Sequence, residues 1–383
     1  MENAAACPPL PSGEGGAGER SSSVRFQPNL QIKQQLLRYI LEGKFEIDQA
    51  LPSIESLSAT FGVSTKTVQK AIHALSADGV IEAKRGIGLF VKSLRPPSSQ
   101  GRRVGLLHAN QPQYLRQKPY PQPVIASLRR DLGRAGLNLI LCPLVQFDRL
   151  VLAETLFKLK LNALLLFEVD SDLLIFEVRD LRLPLVSMDY DAYRHGISSV
   201  AFDNAYGTFQ AAKYLVQHGH QHIAFLRPLL RNPIHNNRSL DAVEDDRLEG
   251  YRIAMLDAGL PLVIREVENK LAIIQQDLAA LFSRRPAPTA IVCTGDWFAG
   301  VVAAELQHMG FRIPEDVSVI GFGDSGVEFA PGRRISSVHV DAAGMGTSAA
   351  RLIVAAMAGG APPQREILPT RLVLYESVQD AKK

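Results

Sequence analysis

From Arg103 to about residue 340, short apolar runs alternate with amphipathic stretches. The apolar runs are Val104–Leu107, Leu137–Leu141, Ala163–Phe167, Leu185–Ser187, Ser199–Phe202, His222–Leu226, Ala290–Cys293, Val317–Phe322 and Ser337–Val340. Short aliphatic runs of this kind suit strands buried on both faces. Stretches such as 203–218, 244–258 and 296–309 carry helical spacing. Strand–helix alternation calls for parallel, doubly wound sheets with helices on both faces. Two sheets of about six strands would each form a lobe, with a cleft between. Ligands of such sheets sit outside the carboxyl ends of the strands.

The rest of the chain is bounded by composition. With 383 residues, 46% hydrophobic and 21% charged, it has room for two or three globular domains. The net charge of +3 is too small to imply nucleic acid by itself. Cys7, Cys142 and Cys293 lie far apart, which suits a reducing cytoplasm and gives no disulfide or metal framework. No apolar stretch reaches the length of a membrane span, so no membrane partner is expected. Residues 1–24 are rich in Gly, Pro, Ser and Ala and lack a basic start followed by an apolar run. They read as a disordered tail, not a signal peptide. A second break, LRPPSSQGRR at 94–103, reads as a linker. It separates a small segment, 25–93, from the large one, 104–378.

The small segment is helical and then strand-like. Ile32, Leu36, Leu37, Ile40 and Leu41 recur at helical spacing, and Gly43 follows as a stop. Ser53 suits the cap of a short helix, Phe61-Gly62-Val63 a tight turn, and Ser64 the cap of a second helix. That second helix carries Val68, Ala71, Ile72 and Leu75 inward and stops at Gly79. Two short strands, 80–84 and 89–92, follow across Arg85-Gly86-Ile87-Gly88. Two helices with a Gly-containing turn and then a basic hairpin predict a winged helix-turn-helix. Residues 25–95 hold ten Lys or Arg and six Asp or Glu, a net +4. The helix from Ser64 offers Ser64, Thr65, Lys66, Thr67, Gln69 and Lys70 at its N-terminal half, where backbone amides favour phosphate. Thr and Gln suit base edges, and Lys suits phosphate.

Residues 51–91 resemble the N-terminal domain of GntR transcription factors, through LPSIESLSATFGVSTKTVQKA and the wing GIGLFV. The resemblance implies double-stranded DNA as partner. Two recognition-helix arginines of that family fall on Thr65 and Gln69, and its usual basic wing residue falls on Ile87. Phosphate binding is therefore expected from Lys66, Lys70, Lys84 and Arg85. Thr65 and Gln69 would read bases, with Ser53 and Gly86 completing the DNA-facing set.

Five marks in the large segment are similar to the LacI/GalR effector domain, itself like periplasmic sugar-binding proteins. They are VGLLHANQPQ with the helix after it, VAFDNAYGTFQAAKYLVQHGHQHIAFL, DDRLEGYRIAMLDAGL, PTAIVCTGDWFAGVVAAELQHMGFRIPEDVSVIGFGDSG and ILPTRLVLYESV. The resemblance implies a two-lobed domain, with lobe 1 at about 104–202 and 335–360 and lobe 2 at about 203–334 and 361–378. It implies that Arg247 binds hydroxyl or carboxylate groups of a small effector and that Asp296 pairs with sugar hydroxyls, with Asp189 a further polar contact. His108 and Tyr120 would flank the first loop, and Trp297 would stack on a sugar ring. Bland alternatives stand beside these: Asp296 as a helix cap, Arg247 paired with Glu244 or Asp245, and His108, Tyr120 and Trp297 as core. The expected protein is a cytoplasmic, ligand-responsive repressor, dimeric on a pseudo-palindromic operator, with no cofactor, no metal and no enzymatic activity. The competing readings are a regulator with a non-sugar effector or a degenerate pocket, a transport receptor, and a Rossmann-like enzyme.

The enzyme reading draws on VSVIGFGDSGVEFAPG, residues 317–332, which contains both G-x-G-x-x-G and Gly-Asp-Ser-Gly. Pro331 and Gly332 leave no room after Gly326 for the helix a dinucleotide loop opens. The segment is expected to end the last strand of lobe 2 and turn back toward the hinge. Asp324 is its candidate for ligand contact.

Overall fold

The structure, a computed structural model, describes residues 28–41, 44–45, 48–84, 86–92, 102–108, 119–143, 152, 155–156, 158–169, 172–179, 181, 183–229, 242–359 and 362–381. Gly43, Arg85, the 1–24 tail and nearly all of the 94–103 linker lie outside them. The chain divides into two compact units. One is 1–103 with 147–162 and 177–183; the other is 104–146, 163–176 and 184–383.

In the first unit, α1 (Pro28–Leu41) buries Ile32, Leu36, Leu37 and Ile40. It packs on α3 (Thr65–Ala77), as does α2 (Ile54–Phe61). Ser53 caps α2 by accepting from the Ser56 amide at 3.1 Å. Gly62 ends that helix in the left-handed region, φ 61°, which a side chain would resist. The strands β1 (Ile81–Lys84) and β2 (Gly88–Val91) form an antiparallel hairpin, with Lys84 opposite Gly88. Apolar residues repeat at three and four positions along each helix, so Leu57, Val68, Ala71, Leu75, Ile81 and Val91 close one small core.

The second unit holds two six-stranded sheets. Lobe 1 contains β3 (Arg103–His108), β4 (Asn138–Pro143), β5 (Ala163–Phe167), β6 (Leu185–Met188), β7 (Ser198–Phe202) and β15 (Arg365–Leu368), ordered β15-β7-β6-β5-β3-β4. Its helices include α4 (Pro121–Arg134), α5 (Asp172–Arg179) and α10 (Ala342–Ala358). Lobe 2 contains β8 (Ile223–Leu229), β9 (Val263–Glu268), β10 (Ala290–Cys293), β11 (Ser318–Gly323), β14 (Ser336–Val340) and β16 (Thr370–Val373), ordered β16-β14-β11-β10-β8-β9. A small hairpin, β12 (Glu328–Ala330) and β13 (Arg333–Arg334), follows β11. Every pairing given for the two large sheets is parallel except β14 with β16.

Period-two alternation shows in lobe 2. Ile223, Phe225, Ala290, Val292, Ile320 and Val338 share a core with α6 (Asn204–Gln217) and α7 (Ala242–Asp257). Ala224, Leu226, Ile291, Cys293 and Val319 face the opposite core, with α8 (Leu271–Phe282) and α9 (Asp296–His308). The chain passes between lobes after β7, after β14 and between β15 and β16. Two of these passages open on a capping aspartate. Asp203 accepts from the Tyr206 amide at 3.1 Å to start α6, and Asp341 accepts from the Gly344 amide at 2.7 Å to start α10.

The expected lobe limits need correction. Ser336–Val340 belongs to lobe 2, because it pairs with β11 and the chain crosses only at Asp341. Arg365–Leu368 belongs to lobe 1, paired with β7. Residues 317–332 are therefore neither the last strand of lobe 2 nor the turn toward the hinge; they lead into the β12–β13 hairpin. Three strands absent from the apolar runs, β9, β15 and β16, each border only one neighbour in their sheets. Edge strands tolerate charged side chains, and β9 carries Arg265, Glu266 and Glu268.

One buried histidine ties the C-terminal segment to lobe 2. His220 is 2% exposed, with Nδ1 2.8 Å from Thr289 Oγ1 and Nε2 3.0 Å from the Gln379 carbonyl. A carbonyl only accepts, so Nε2–H donates and Nδ1 accepts the Thr289 hydroxyl. Burial pushes the imidazole below its usual 6.5. Between the lowered folded value and 6.5 the unfolded chain binds more protons than the folded one. His220 therefore costs stability as pH falls below 6.5. The expected result is a melting temperature that declines from pH 8 to pH 5 more steeply in the wild type than in His220→Gln; equal slopes would refute it.

Candidate functional site

The DNA-facing candidates lie in the first unit. Ser64 opens α3: its Oγ accepts from the Thr67 amide at 3.2 Å and pairs with Thr67 Oγ1 at 2.8 Å. Ser53, Ser64 and Thr67 thus fix helix starts, and Thr67 is half-buried. With Val68, Ala71, Ile72 and Leu75 turned inward, Thr65, Lys66, Gln69 and Lys70 stand exposed on the outer side. His73 is exposed too and continues the outward 66–69/70–73 stripe, an extension that helical spacing allowed but the motif did not mark. On the wing, Lys84 is exposed with its ammonium 4.7 Å from the Phe90 ring centre. Gly86 has φ 76°, and the Ile87 amide donates to the Lys84 carbonyl at 2.9 Å to close the tip.

The effector candidates lie at strand ends in the second unit. In both lobes the strand order reverses direction beside the first strand, between β3 and β5 and between β8 and β10. Such switch points open crevices at the carboxyl ends. In lobe 1 these ends carry His108 as the last residue of β3, Glu168 after β5 and Asp189 after β6. Glu168 and Asp189 adopt φ of 52° and 75°, rarely populated by residues with a side chain. Tyr120, half-buried before α4, donates its hydroxyl to Met345 Sδ at 3.4 Å. Its ring packs beside Phe167 and Phe202, at centroid distances of 5.9 and 6.3 Å. Burial, then the Asp189 and Glu168 carboxylates, push the phenol well above its usual value, while Arg247 opposes them from lobe 2. Glu168 is a residue the sequence reading missed, although its place after the run Leu164–Phe167 marks a strand end.

In lobe 2, Arg247 rises from α7. Its Nε donates to Asn204 Oδ1 at 2.9 Å and its Nη1 to the Thr294 carbonyl at 2.6 Å. The guanidinium lies 3.9 Å over the Phe322 ring centre. Pairing with Asp245 does not occur, because Asp245 is bound to Arg227. Asn204, from the Asp-Asn pair at the first crossing, is a second residue the reading missed. Among the described residues the Arg247 Nη2 makes no hydrogen bond, and the buried Thr294 Oγ1 has no partner.

Two expected contacts have protein partners of their own. Asp296 is 4% exposed, and protein donors occupy both carboxylate oxygens. Ser325 donates through its amide at 2.6 Å and its hydroxyl at 2.9 Å to Oδ2; Ser337 donates to Oδ1 at 2.6 Å. Burial raises this carboxyl despite those three bonds. Nor is Asp296 a cap, since the cap position is Gly295. Asp324, φ 48°, receives the Tyr375 hydroxyl at 3.0 Å and Arg334 at 3.2 Å on Oδ1, and has His339 Nδ1 2.9 Å from Oδ2. Both aspartates hold the strand ends of lobe 2 together, each through three protein partners. Trp297 is not core: it is 46% exposed on the first turn of α9.

No nucleophile emerges at Gly-Asp-Ser-Gly. The Ser325 hydroxyl donates to Asp296, and His339 pairs with Asp324 instead. Among the described residues there is no group of three side chains suited to a metal ion. Among them, too, no helix is long and apolar enough to cross a membrane.

Residues 28–91 match the family described as bacterial regulatory proteins, gntR family, and residues 212–378 match the periplasmic binding protein-like domain. The chain joins a GntR-type winged helix-turn-helix to a periplasmic-binding-protein-like domain. The arabinose metabolism transcriptional repressor of Geobacillus stearothermophilus is 23% identical over 343 residues, 85% of this chain and 90% of that one. An HTH-type transcriptional repressor PurR from Serratia proteamaculans is 28% identical over 291 residues, 71% of this chain and 80% of that one. In fold, the chain resembles the transcriptional regulator CelR–cellobiose complex, with TM-score 0.64, 22% identity and coverage of 86% of this chain and 100% of that one. The lac repressor dimer bound to operator and an anti-inducer gives TM-score 0.60, 19% identity and coverage of 73% and 95%. These relatives are named as regulators, not as enzymes.

Proposed function

We propose that this chain is a ligand-responsive DNA-binding transcription regulator, acting as a repressor. A dimer places two α3 helices on a pseudo-palindromic operator. A small sugar or sugar derivative enters the cleft between the lobes, and closure changes the spacing of the two winged modules. The observation that carries this reading is the capped, outward face of Lys66, Gln69 and Lys70, joined in one chain to a two-lobed domain with Tyr120, Asp189 and Arg247 near its switch points. The relatives' names, one for arabinose metabolism, and a structural neighbour solved with cellobiose support a sugar.

A second reading keeps the regulator and changes the effector. Asp296 and Asp324 each already carry three protein partners inside lobe 2, which favours an effector that does not rely on them. A non-sugar ligand held by Arg247, Tyr120 and Asp189 fits that observation.

The two readings part in one experiment. The chain has one tryptophan, Trp297, half-exposed beside the cleft end of β10. A panel of pentoses, hexoses, disaccharides, purines and amino acids is screened by Trp297 emission and thermal shift. A sugar that moves both signals supports the first reading; a purine or amino acid alone supports the second. Arg247→Lys keeps the charge but loses the fork, and should weaken the active ligand about tenfold or more. Full affinity in that variant would remove Arg247 from the pocket.

A further inference from the structure

The wing tip departs from the rest of the basic module. Ile87 is 72% exposed, the largest exposure among the large apolar side chains of the described residues. It stands between Gly86, φ 76°, and Gly88, φ 140°, conformations that side chains resist, so the turn is set by those glycines. Its amide is fixed to the Lys84 carbonyl at 2.9 Å, so the isoleucine projects from a closed tip. The described cation of the hairpin base, Lys84, leans over Phe90, away from the tip in sequence. An isolated β-branched side chain in water stabilises nothing in the folded module. It gains only where it is covered.

The occupant is argued from continuity. The wing belongs to the same unit as α3, whose outward face carries Lys66, Gln69 and Lys70, and the segment 25–95 is +4. When α3 lies on a duplex, a hairpin beside it meets the adjacent groove and its phosphates. The Ile87 side chain itself cannot pair with phosphate. It can enter the minor groove, where apolar side chains contact base edges. There the only chemical difference between pairs is the 2-amino group of guanine, which fills the groove floor and must be hydrogen-bonded or left exposed. An isoleucine covers that donor without satisfying it.

We infer that Ile87 is an apolar minor-groove contact that selects base pairs lacking the purine 2-amino group beside the α3 half-site. This rests on the DNA-binding reading and adds a specificity element that carries no charge. It also assigns a division of labour. Lys66 and Lys70 set the salt dependence, and Ile87 sets A·T preference without altering it.

The test uses the full chain and duplexes that it selects from a random pool. The selected operator is re-synthesised with inosine in place of guanosine, or 2,6-diaminopurine in place of adenine. Both changes keep the major-groove pattern read by α3 and alter only the minor-groove amino group. The expected result is about tenfold weaker binding to the diaminopurine operator and no loss with inosine. Ile87→Ala should bind the unmodified operator about tenfold more weakly, at an unchanged salt slope, and lose the diaminopurine penalty. Ile87→Arg should restore affinity and steepen the slope by about 1. Unchanged melting temperatures in both variants exclude misfolding, since the side chain lies outside the core. The inference is overturned if Ile87→Ala keeps full affinity and the full diaminopurine penalty while Lys66→Ala weakens binding. If the wild-type chain selects no duplex, the regulator reading itself falls, and this inference with it.

Discussion

Gly250→Ala lowers the melting temperature of the full chain by roughly 10 °C, from an overpacking cost of about 3 kcal/mol or more. Gly250 lies in α7 where that helix crosses α6. A methyl group there would lie 2.8 Å from the Ala205 carbonyl carbon and 2.9 Å from the Phe209 amide nitrogen, and closer still to the Ala205 oxygen. These are backbone atoms of a neighbouring helix, so no rotamer change relieves the contact. The two helices can only move apart, which opens the core around Tyr251, Leu248 and Ala211. The same movement drags Arg247 from Asn204 and Thr294. A contrast comes from Gly133 in α4, where an added methyl meets nothing within 4 Å. Gly133→Ala is expected to be neutral or to stabilise by up to about 1 kcal/mol. A circular-dichroism melt of both variants decides the matter; a Gly250→Ala protein melting like the wild type would mean that α6 and α7 are not held this close.

The double substitution Lys66→Ala, Lys70→Ala weakens DNA binding on every sequence and lowers the salt slope by about 2. Both lysines are exposed on the outer side of α3, one helical turn apart. Each neutralises about one phosphate and releases about one counterion. Because phosphate contacts position without specifying, preference among operators should survive while absolute affinity falls. Titrations by fluorescence anisotropy at several salt concentrations check this. An unchanged slope would move the phosphate contacts elsewhere.

Much of this fold is legible in the sequence because buried strands announce themselves. Runs such as Ala-Leu-Leu-Leu-Phe at Ala163–Phe167 and the capped helix from Ser64 lie where spacing and capping put them. Three of the four edge strands escape that reading, as β9 shows: Arg265 and Glu266 belong to a half-exposed surface and look like loop. The candidate site is legible only as residue types. Asp189 and Arg247 both act on the Tyr120 phenol, from opposite lobes. Asp296 and Asp324 stand where spacing allows a ligand contact, yet Ser325, Ser337, Tyr375 and His339 occupy them. Those partners come from 29 to 51 residues further along the chain for Asp296–Ser325 and Asp324–Tyr375, distances over which a single sequence carries no pairing signal. The Gly-Asp-Ser-Gly tetrapeptide illustrates the same limit in reverse. A local motif suggested chemistry, and its tertiary partners make it a brace.

The central claim is that one chain couples a ligand in the cleft to an operator on α3. Coupling is reciprocal: a ligand that changes operator affinity by some factor has its own affinity changed by that factor. The decisive measurement is full-chain binding to its selected operator, with and without the compound that moves Trp297 emission, together with that compound's affinity with and without operator. The account predicts equal and opposite-path factors of about 5 to 150 in the two titrations. A compound that binds tightly while leaving operator affinity unchanged, or an operator affinity indifferent to salt, would contradict it.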